Sequence, residues 1–212
     1  MNKQKIKNLL VLILPTPIFD VLIKYIQMLD WRKRNYLAQA PQFVKQEVFL
    51  KYGIANAQWV ETGTYKGITT TFLANHFSQV HSIEPAQDLY EKAVKLFKGK
   101  NVSLYNDVSE SVLPYLLPKL NGEINFWLDG HSSDGITFKG KKDCPVEDEL
   151  SAIKRNLSNF TRMTILIDDV RIFASDSHNY SGYPSIDYLV DWARENRFSW
   201  QIEHDIFIMV NY

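Results

Sequence analysis

The sequence predicts an α/β fold with a doubly wound, mostly parallel sheet of seven strands and helices on both faces. From Gln58 onward, apolar runs of strand length alternate with segments of helical composition, which is typical of such a sheet. The last two runs, 200–203 and 206–210, follow each other closely and predict a C-terminal antiparallel hairpin. The five earlier runs stop at or beside an acid, so we expect several carboxylates at the carboxyl edge of the sheet.

Composition is consistent with one domain plus an extension. A chain of 212 residues that is 45% hydrophobic and 13% aromatic can bury a sizeable core. Its 24 basic and 24 acidic residues give zero net charge, which argues against general nucleic-acid binding. The single cysteine, Cys144, cannot form an internal disulfide and has no pattern of a nucleophile, so we expect a reduced, cytoplasmic setting.

Residues 1–52 are predicted to be a helical extension, and residues 53–212 the α/β domain. Three lysines precede an apolar run at 9–14, but this run ends at a proline and is far shorter than the roughly 20 residues that span a bilayer. Helical periodicity follows, and its apolar face contains Ile18, Leu22, Tyr25, Ile26 and Leu29. This helix either packs on the domain or a second subunit, as in a homo-oligomer, or contacts the inner face of a membrane peripherally.

Proline and acidic residues predict where several of the remaining strands and helices begin and end. Proline stops the second strand, interrupts the third helix of the domain and begins the fourth, whose first turn is acidic as the helix dipole favours. A helix over 43–52 leads into the domain. The predicted strands are 59–61, 79–84, 102–106, 124–128 and 164–167, and the helices are 68–77, 86–97, 110–120, 145–157 and 184–196.

The segment E-T-G-T-Y-K-G, from Glu61 to Gly67, predicts a ligand-binding turn between the first strand and its helix. Tyr65 occupies the place of the second glycine of a dinucleotide fingerprint, which disfavours NAD, and no phosphate-binding loop is present. A carboxylate at the strand end suits a ligand with an ammonium group, such as S-adenosylmethionine. We therefore expect Glu61, Gly63, Thr64, Tyr65 and Gly67 to contact that cofactor, and the segment resembles the first motif of class I S-adenosylmethionine-dependent methyltransferases.

Two further acids are candidates for the same cofactor. Glu84 lies 21 residues after Gly63, close to the spacing at which an acid hydrogen-bonds a ribose hydroxyl, although an acid before proline also simply ends a strand. Asp107, or its neighbour Asn106, could accept from an adenine amino group. Asp107 could equally cap the following helix.

Acids also cluster in the second half of the domain. Asp129-Gly130-His131 ends one strand and Asp168-Asp169 ends another. Converging carboxylates repel one another unless they are neutralised. A divalent cation such as Mg²⁺ could neutralise them through oxygen ligands, or Arg171 could do so instead.

The segment after Asp129 is long, polar and rich in lysine, as expected of a loop that shapes a substrate site. Its lysines either bind a phosphate of the acceptor or are solvated. His178 is expected at the surface. The lysines are Lys139, Lys141 and Lys142, and the histidines expected to be structural are His76, His81 and His204.

Two longer segments, FWLDGHSSDGITFKGKKDCPVEDELSAI and ILIDDVRIF, resemble class I methyltransferase-like proteins of bacterial polysaccharide and natural-product biosynthesis. Among them, the macrocin and aminocoumarin sugar O-methyltransferases are similar. The resemblance covers residues 59–212 and implies a Rossmann-like domain in which Asp129, Asp168 and Asp169 hold Mg²⁺. It also implies that Asp129 or His131 takes the proton of a sugar hydroxyl, although serines follow His131 where the related enzymes have an acid.

The expected function is therefore methyl transfer from S-adenosylmethionine to a hydroxyl of a sugar, glycan precursor or other small molecule. In this hypothesis Asp129 or His131 is the general base, and the histidine has a suitable ordinary pKa. Three alternatives are a metal-dependent hydrolase on the same acidic edge, a NAD-binding oxidoreductase, which Tyr65 disfavours, and a non-catalytic binding protein with this fold. Binding of S-adenosylmethionine separates the first alternative from a methyltransferase.

Overall fold

The structure is a computed structural model that describes residues 16–130, 144–174 and 182–212. In these residues the strands are β1 (Gln58–Thr62), β2 (Val80–Ile83), β3 (Val102–Tyr105), β4 (Gly122–Leu128), β5 (Phe160–Ile167), β6 (Ser199–Glu203) and β7 (Ile206–Val210). The α-helices are α1 (Thr16–Lys33), α2 (Gln42–Tyr52), α3 (Ile68–His76), α4 (Gln87–Leu96), α5 (Ser109–Leu116), α6 (Val146–Arg155), α7 (Val170–Phe173) and α8 (Ile186–Glu195).

All seven strands form one sheet in the order β3-β2-β1-β4-β5-β7-β6. β1 to β5 are mutually parallel, whereas β7 pairs antiparallel with both β5 and β6. The predicted α/β class, the mostly parallel sheet of seven strands and the closing antiparallel hairpin are confirmed. The order reverses direction at β1 and β4, and ligands of open parallel sheets bind beside such a reversal at the carboxyl ends of the strands.

Alternating side chains cover both faces of the sheet. Trp59 and Trp127 join an apolar cluster with α2 and α3, while their neighbours Val60 and Phe126 join a larger cluster with α5, α6 and α8. All four of these side chains are fully buried. Because successive strand residues point to opposite faces, one apolar run supplies two cores.

The chain forms two compact units, with the boundary between Lys45 and Gln46 inside α2. In the first unit, α1 turns into a short connection where the Trp31 indole N–H donates to the carbonyl of Ala38 at 2.8 Å. Trp31 packs there with Ala40 and Val44 as a small core. In the second unit, the half of α2 beyond the boundary packs its apolar side chains against the sheet. None of the helices in the described residues is both long and apolar enough to cross a bilayer.

Candidate functional site

The carboxyl ends of four neighbouring strands are joined by backbone hydrogen bonds. Gly63 N–H donates to Ile83 at 3.0 Å, Asp129 N–H to Thr62 at 3.2 Å, and Asp168 N–H to Leu128 at 3.1 Å. The ends of β2, β1, β4 and β5 are thereby aligned. Four of the acids singled out in the sequence, Glu61, Glu84, Asp129 and Asp168, consequently belong to one edge of the sheet.

The turn between β1 and α3, residues 63–67, requires its two glycines. Gly63 has φ of +90°, and a Cβ there would lie 2.6 Å from the carbonyl oxygen of Asp129. Gly67 has φ of +71°, and a Cβ there would lie 2.9 Å from the Phe97 ring. Tyr65 also has positive φ and leaves its side chain partly exposed. Only glycine combines these backbone angles with such close neighbours.

Glu61 lies in β1 beneath this turn and is completely buried. Its Oε2 accepts from the hydroxyls of Thr70 at 2.6 Å and Ser82 at 2.5 Å. The Ser82 hydroxyl lies 2.6 Å from that of Thr64, which ties the turn to the same cluster. Burial raises the pKa of Glu61 to about 7, against the two hydroxyl hydrogen bonds that lower it.

The second oxygen of Glu61, Oε1, has no hydrogen-bond partner among the described residues although it is buried. A buried acceptor without a donor costs about 1–3 kcal/mol. A ligand that brings an ammonium or N–H group to this oxygen would remove that cost. The expectation that Glu61 contacts an amino group remains a prediction.

Glu84 directly follows β2, and its carboxylate stabilises the turn by accepting backbone hydrogen bonds. Its Oε2 accepts the backbone N–H of Tyr65 at 2.7 Å, and its Oε1 accepts that of Ala86 at 2.9 Å. Glu84 is almost fully buried, and this burial raises its pKa. An ionised carboxylate has about four acceptor sites, so two backbone donors leave acceptor capacity for ribose hydroxyls.

The residues after β3 have local partners. Asn106 donates its side-chain amide to the carbonyl of Glu84 at 2.9 Å, which fixes the chain after β2. The Asp107 carboxylate accepts the N–H of Val108 at 2.7 Å. Asp107 thus stabilises the entry to α5 locally, and its expected contact with adenine remains a prediction.

The carboxylates predicted to hold a metal do not assemble into a metal-binding group. No group of three or more His, Cys, Asp or Glu side chains with suitable geometry occurs in residues 16–130, 144–174 and 182–212. Asp169 has φ of +55° and accepts from the Arg171 guanidinium at 2.7 Å, and the same guanidinium nitrogen also donates to Asp205. Arg171 therefore neutralises Asp169, as in the second interpretation of the sequence, and nothing in the described residues supports the assignment of Asp129, Asp168 and Asp169 to Mg²⁺.

Several sequence predictions lie outside the described residues. These are His131 as a general base, Lys139, Lys141 and Lys142 as phosphate ligands, and His178 as a surface residue. Asp129 is described and half-buried at the end of β4. Its backbone N–H also lies 3.2 Å from the Thr62 hydroxyl, which fixes the start of the segment that follows β4.

Glu149 is a buried acid that the sequence analysis missed. It lies on α6, and the hydroxyls of Thr62 and Ser109 interact with its carboxyl and lower its pKa, while its Oε1 has no hydrogen-bond partner among the described residues. Burial is the largest effect on its pKa and raises it to about 7. Its Oε1 lies 3.2 Å from where a Cβ on Gly130 would be, so this carboxyl reaches the chain just after Asp129.

A small cavity adjoins Glu149 and is lined partly by Gly130, Cys144 and Phe173. Its volume is about 10 Å³, the size of one water molecule. A sequence signal for Glu149 does exist. Val146, Glu149, Leu150 and Ile153 repeat at three- and four-residue spacing, so the acid occupies the apolar face of its helix.

No protein-family model matches the chain, and neither does any curated protein. Among solved structures, a methyltransferase from Geobacter sulfurreducens is 14% identical, with 99% of this chain and 96% of that chain covered and a TM-score of 0.52. An rRNA-methylase candidate from Clostridium thermocellum is 13% identical, with 78% and 93% covered and a TM-score of 0.51. The 23S rRNA methyltransferase ErmE is also 13% identical, with 81% and 68% covered and a TM-score of 0.50. At these identities the likeness concerns the fold alone, and the chain has the fold of class I methyltransferases.

Proposed function

We propose that the protein transfers a methyl group from S-adenosylmethionine to a hydroxyl of a sugar or another small molecule. The observation that carries the proposal is the glycine turn after β1, which has the buried Glu61 beneath it and the Glu84 carboxylate beside it. Such acids suit a donor with an amino group and a ribose but no phosphate. The methyltransferase fold places this turn where ligands of open parallel sheets bind.

The donor side of the site consists of Glu61, Glu84 and residues 63–67. Glu61 offers its buried Oε1 to the amino group, and Glu84 offers its remaining acceptor capacity to the ribose hydroxyls. Thr64 and Tyr65 keep the turn in place through Ser82 and Glu84. S-adenosylmethionine would supply an electrophilic methyl carbon on a positively charged sulfur.

The acceptor side is assigned to the end of β4. Asp129 would take the proton that the acceptor hydroxyl loses as its oxygen bonds to the methyl carbon and the bond from that carbon to sulfur breaks. His131 remains the second candidate for this base. Much of the rate would come from aligning the two reactants. No step is assigned to a metal, because the part of the chain that the structure describes contains no metal-binding group.

A sugar or similar acceptor is favoured over RNA, although two of the similar structures bear rRNA methylase names. Proteins that bind nucleic acid neutralise phosphates with Lys and Arg. This chain has equal numbers of acidic and basic residues. The sugar class rests on the resemblance of the segments that follow β4 and β5.

Calorimetric titration with S-adenosylmethionine tests the donor side. The wild type should bind, and Glu84→Gln should bind roughly tenfold or more weakly, because a hydrogen bond to a charged group contributes about 1.5–3 kcal/mol. Glu91→Gln removes an exposed acid from α4 and should bind like the wild type. If the wild type gives no binding heat, the methyltransferase assignment fails and the hydrolase alternative gains support.

Transfer of a labelled methyl group tests the acceptor side. The panel contains sugar nucleotides, glycan precursors and ribosomal RNA, with Asp129→Asn as the variant. We expect label on a sugar hydroxyl and a loss of kcat in the variant with donor affinity unchanged. Label on RNA would refute the acceptor class, and donor binding without any transfer would favour the non-catalytic alternative.

A further inference from the structure

Helix α1 has a continuous apolar face that the described residues of its own unit leave exposed. The face consists of Ile18, Val21, Tyr25, Ile26 and Leu29, whose exposed fractions lie between 37% and 68%. These residues recur at three- and four-residue spacing and therefore form one stripe along the helix. Trp31 and Met28 point elsewhere, into the small core of the unit.

The charged side chains that extend this stripe are positive. Arg32 and Lys33 are exposed in the last turn of α1, three and four residues beyond Leu29, and so extend the stripe with positive charge. Asp20 lies off the stripe by helical geometry, whereas Asp30 lies at its edge, four residues after Ile26. Asp30 is also paired with Arg34 at 3.0 Å.

Positive charge is also distributed unevenly along the whole chain. Residues 1–37 contain seven Lys and Arg but only two Asp and no Glu. Because the chain has 24 residues of each sign, residues 38–212 contain 17 basic and 22 acidic ones. Positive charge is thus concentrated in the segment that also carries the apolar stripe and the apolar run at 9–14.

We propose that α1 docks on the surface of an anionic lipid bilayer, with its apolar stripe inserted at the headgroup boundary and Arg32 and Lys33 at the phosphates. An exposed apolar face flanked by positive charge is the arrangement found in interfacial helices. Each basic residue near an anionic surface adds to the attraction. The proposal goes beyond methyl transfer and does not depend on it.

Sedimentation of the full chain with vesicles tests this proposal. The wild type should bind vesicles of phosphatidylcholine and phosphatidylglycerol, and should bind pure phosphatidylcholine vesicles more weakly. Val21→Glu places a charge on the stripe and should weaken binding roughly tenfold. Gln27→Glu places the same charge on the other side of the helix, at an exposed position, and should weaken binding far less.

Val21 is the most exposed residue of the stripe, so its substitution should leave folding intact, as circular dichroism can verify. Arg32→Gln with Lys33→Gln should reduce the preference for phosphatidylglycerol while sparing the weak binding to phosphatidylcholine. Equal binding of Val21→Glu and Gln27→Glu would overturn the proposal, as would absence of binding by the wild type. A dimer in solution that only Val21→Glu dissociates, without vesicle binding, would instead identify a second copy as the partner.

Discussion

Replacing Glu149 by glutamine should change how the stability of the protein depends on pH. Burial raises the pKa of Glu149 from 4.5 to about 7, so the folded protein holds this proton where the unfolded chain has lost it. A group with a raised folded pKa stabilises the fold below its unfolded pKa, and this contribution is lost as pH rises through the folded value. The difference corresponds to about 3 kcal/mol of unfolding free energy between pH 4.5 and pH 7.

Glutamine resembles the protonated acid in shape and does not ionise. Relative to the wild type, Glu149→Gln should therefore gain about 3 kcal/mol of unfolding free energy as pH rises across this window. Urea unfolding at a series of pH values measures the difference, in which titrations common to both proteins cancel. Glu147→Gln is the matched control, because Glu147 is exposed on the same helix and its substitution should change stability by no more than about 0.5 kcal/mol at any pH.

Parallel stability curves for the wild type and Glu149→Gln would refute the reasoning. They would mean that the folded and unfolded states bind this proton equally well. The carboxyl would then have to be hydrated or paired in a way that burial against Thr62 and Ser109 does not provide. A gain for Glu147→Gln of the same size would point instead to general charge repulsion on α6.

Two further predictions concern the edge of the sheet. Gly63→Ala should lower the unfolding free energy by roughly 2 kcal/mol or more, because the position has positive φ and the new Cβ would clash with a backbone oxygen. Gly99→Ala is the control and should lower it less, because Gly99 has positive φ but no neighbour within 4 Å. Urea unfolding measures both losses, and equal losses would contradict the steric argument. Arg171→Gln should cost roughly 2–3 kcal/mol at neutral pH by leaving two buried carboxylates without their shared cation. That loss should shrink at acid pH as the carboxylates protonate, and thermal unfolding that does not differ from the wild type at any pH would contradict it.

The fold could be predicted because its signals are short in range. Apolar runs bounded by proline, glycine and acids specified the strands and their order along the chain, and only the boundaries shifted. β5 begins at Phe160 rather than at 164, although Thr161 and Arg162 are polar and exposed. Phe160 and Arg162 pair with Gly122 and Glu123 of β4, and Thr161 lies at the register shift between these pairs. Because Thr161 and Arg162 are polar, the apolar run in the sequence did not indicate where the strand begins.

The site was predictable where one segment builds it and less so where distant segments meet. The glycine turn and Glu84 are specified within about twenty residues. By contrast, Asp205 reaches Arg171 from 34 residues away, and nothing in the local sequence indicates that contact. The sequence indicated Glu149 only as one of three acids in the first turn of a helix. In the structure Glu149 is buried, whereas the other two acids are not. Long-range packing, not local propensity, decides such cases.

Glu61 and Thr62 are adjacent in β1 but belong to opposite sides of the sheet. Glu61 interacts with Thr70 of α3, and Thr62 with Glu149 of α6. The strand thus separates two buried carboxyls, so a substitution around Glu149 on one face of the sheet should leave the hydrogen bond between Glu61 and Thr70 on the other face unchanged.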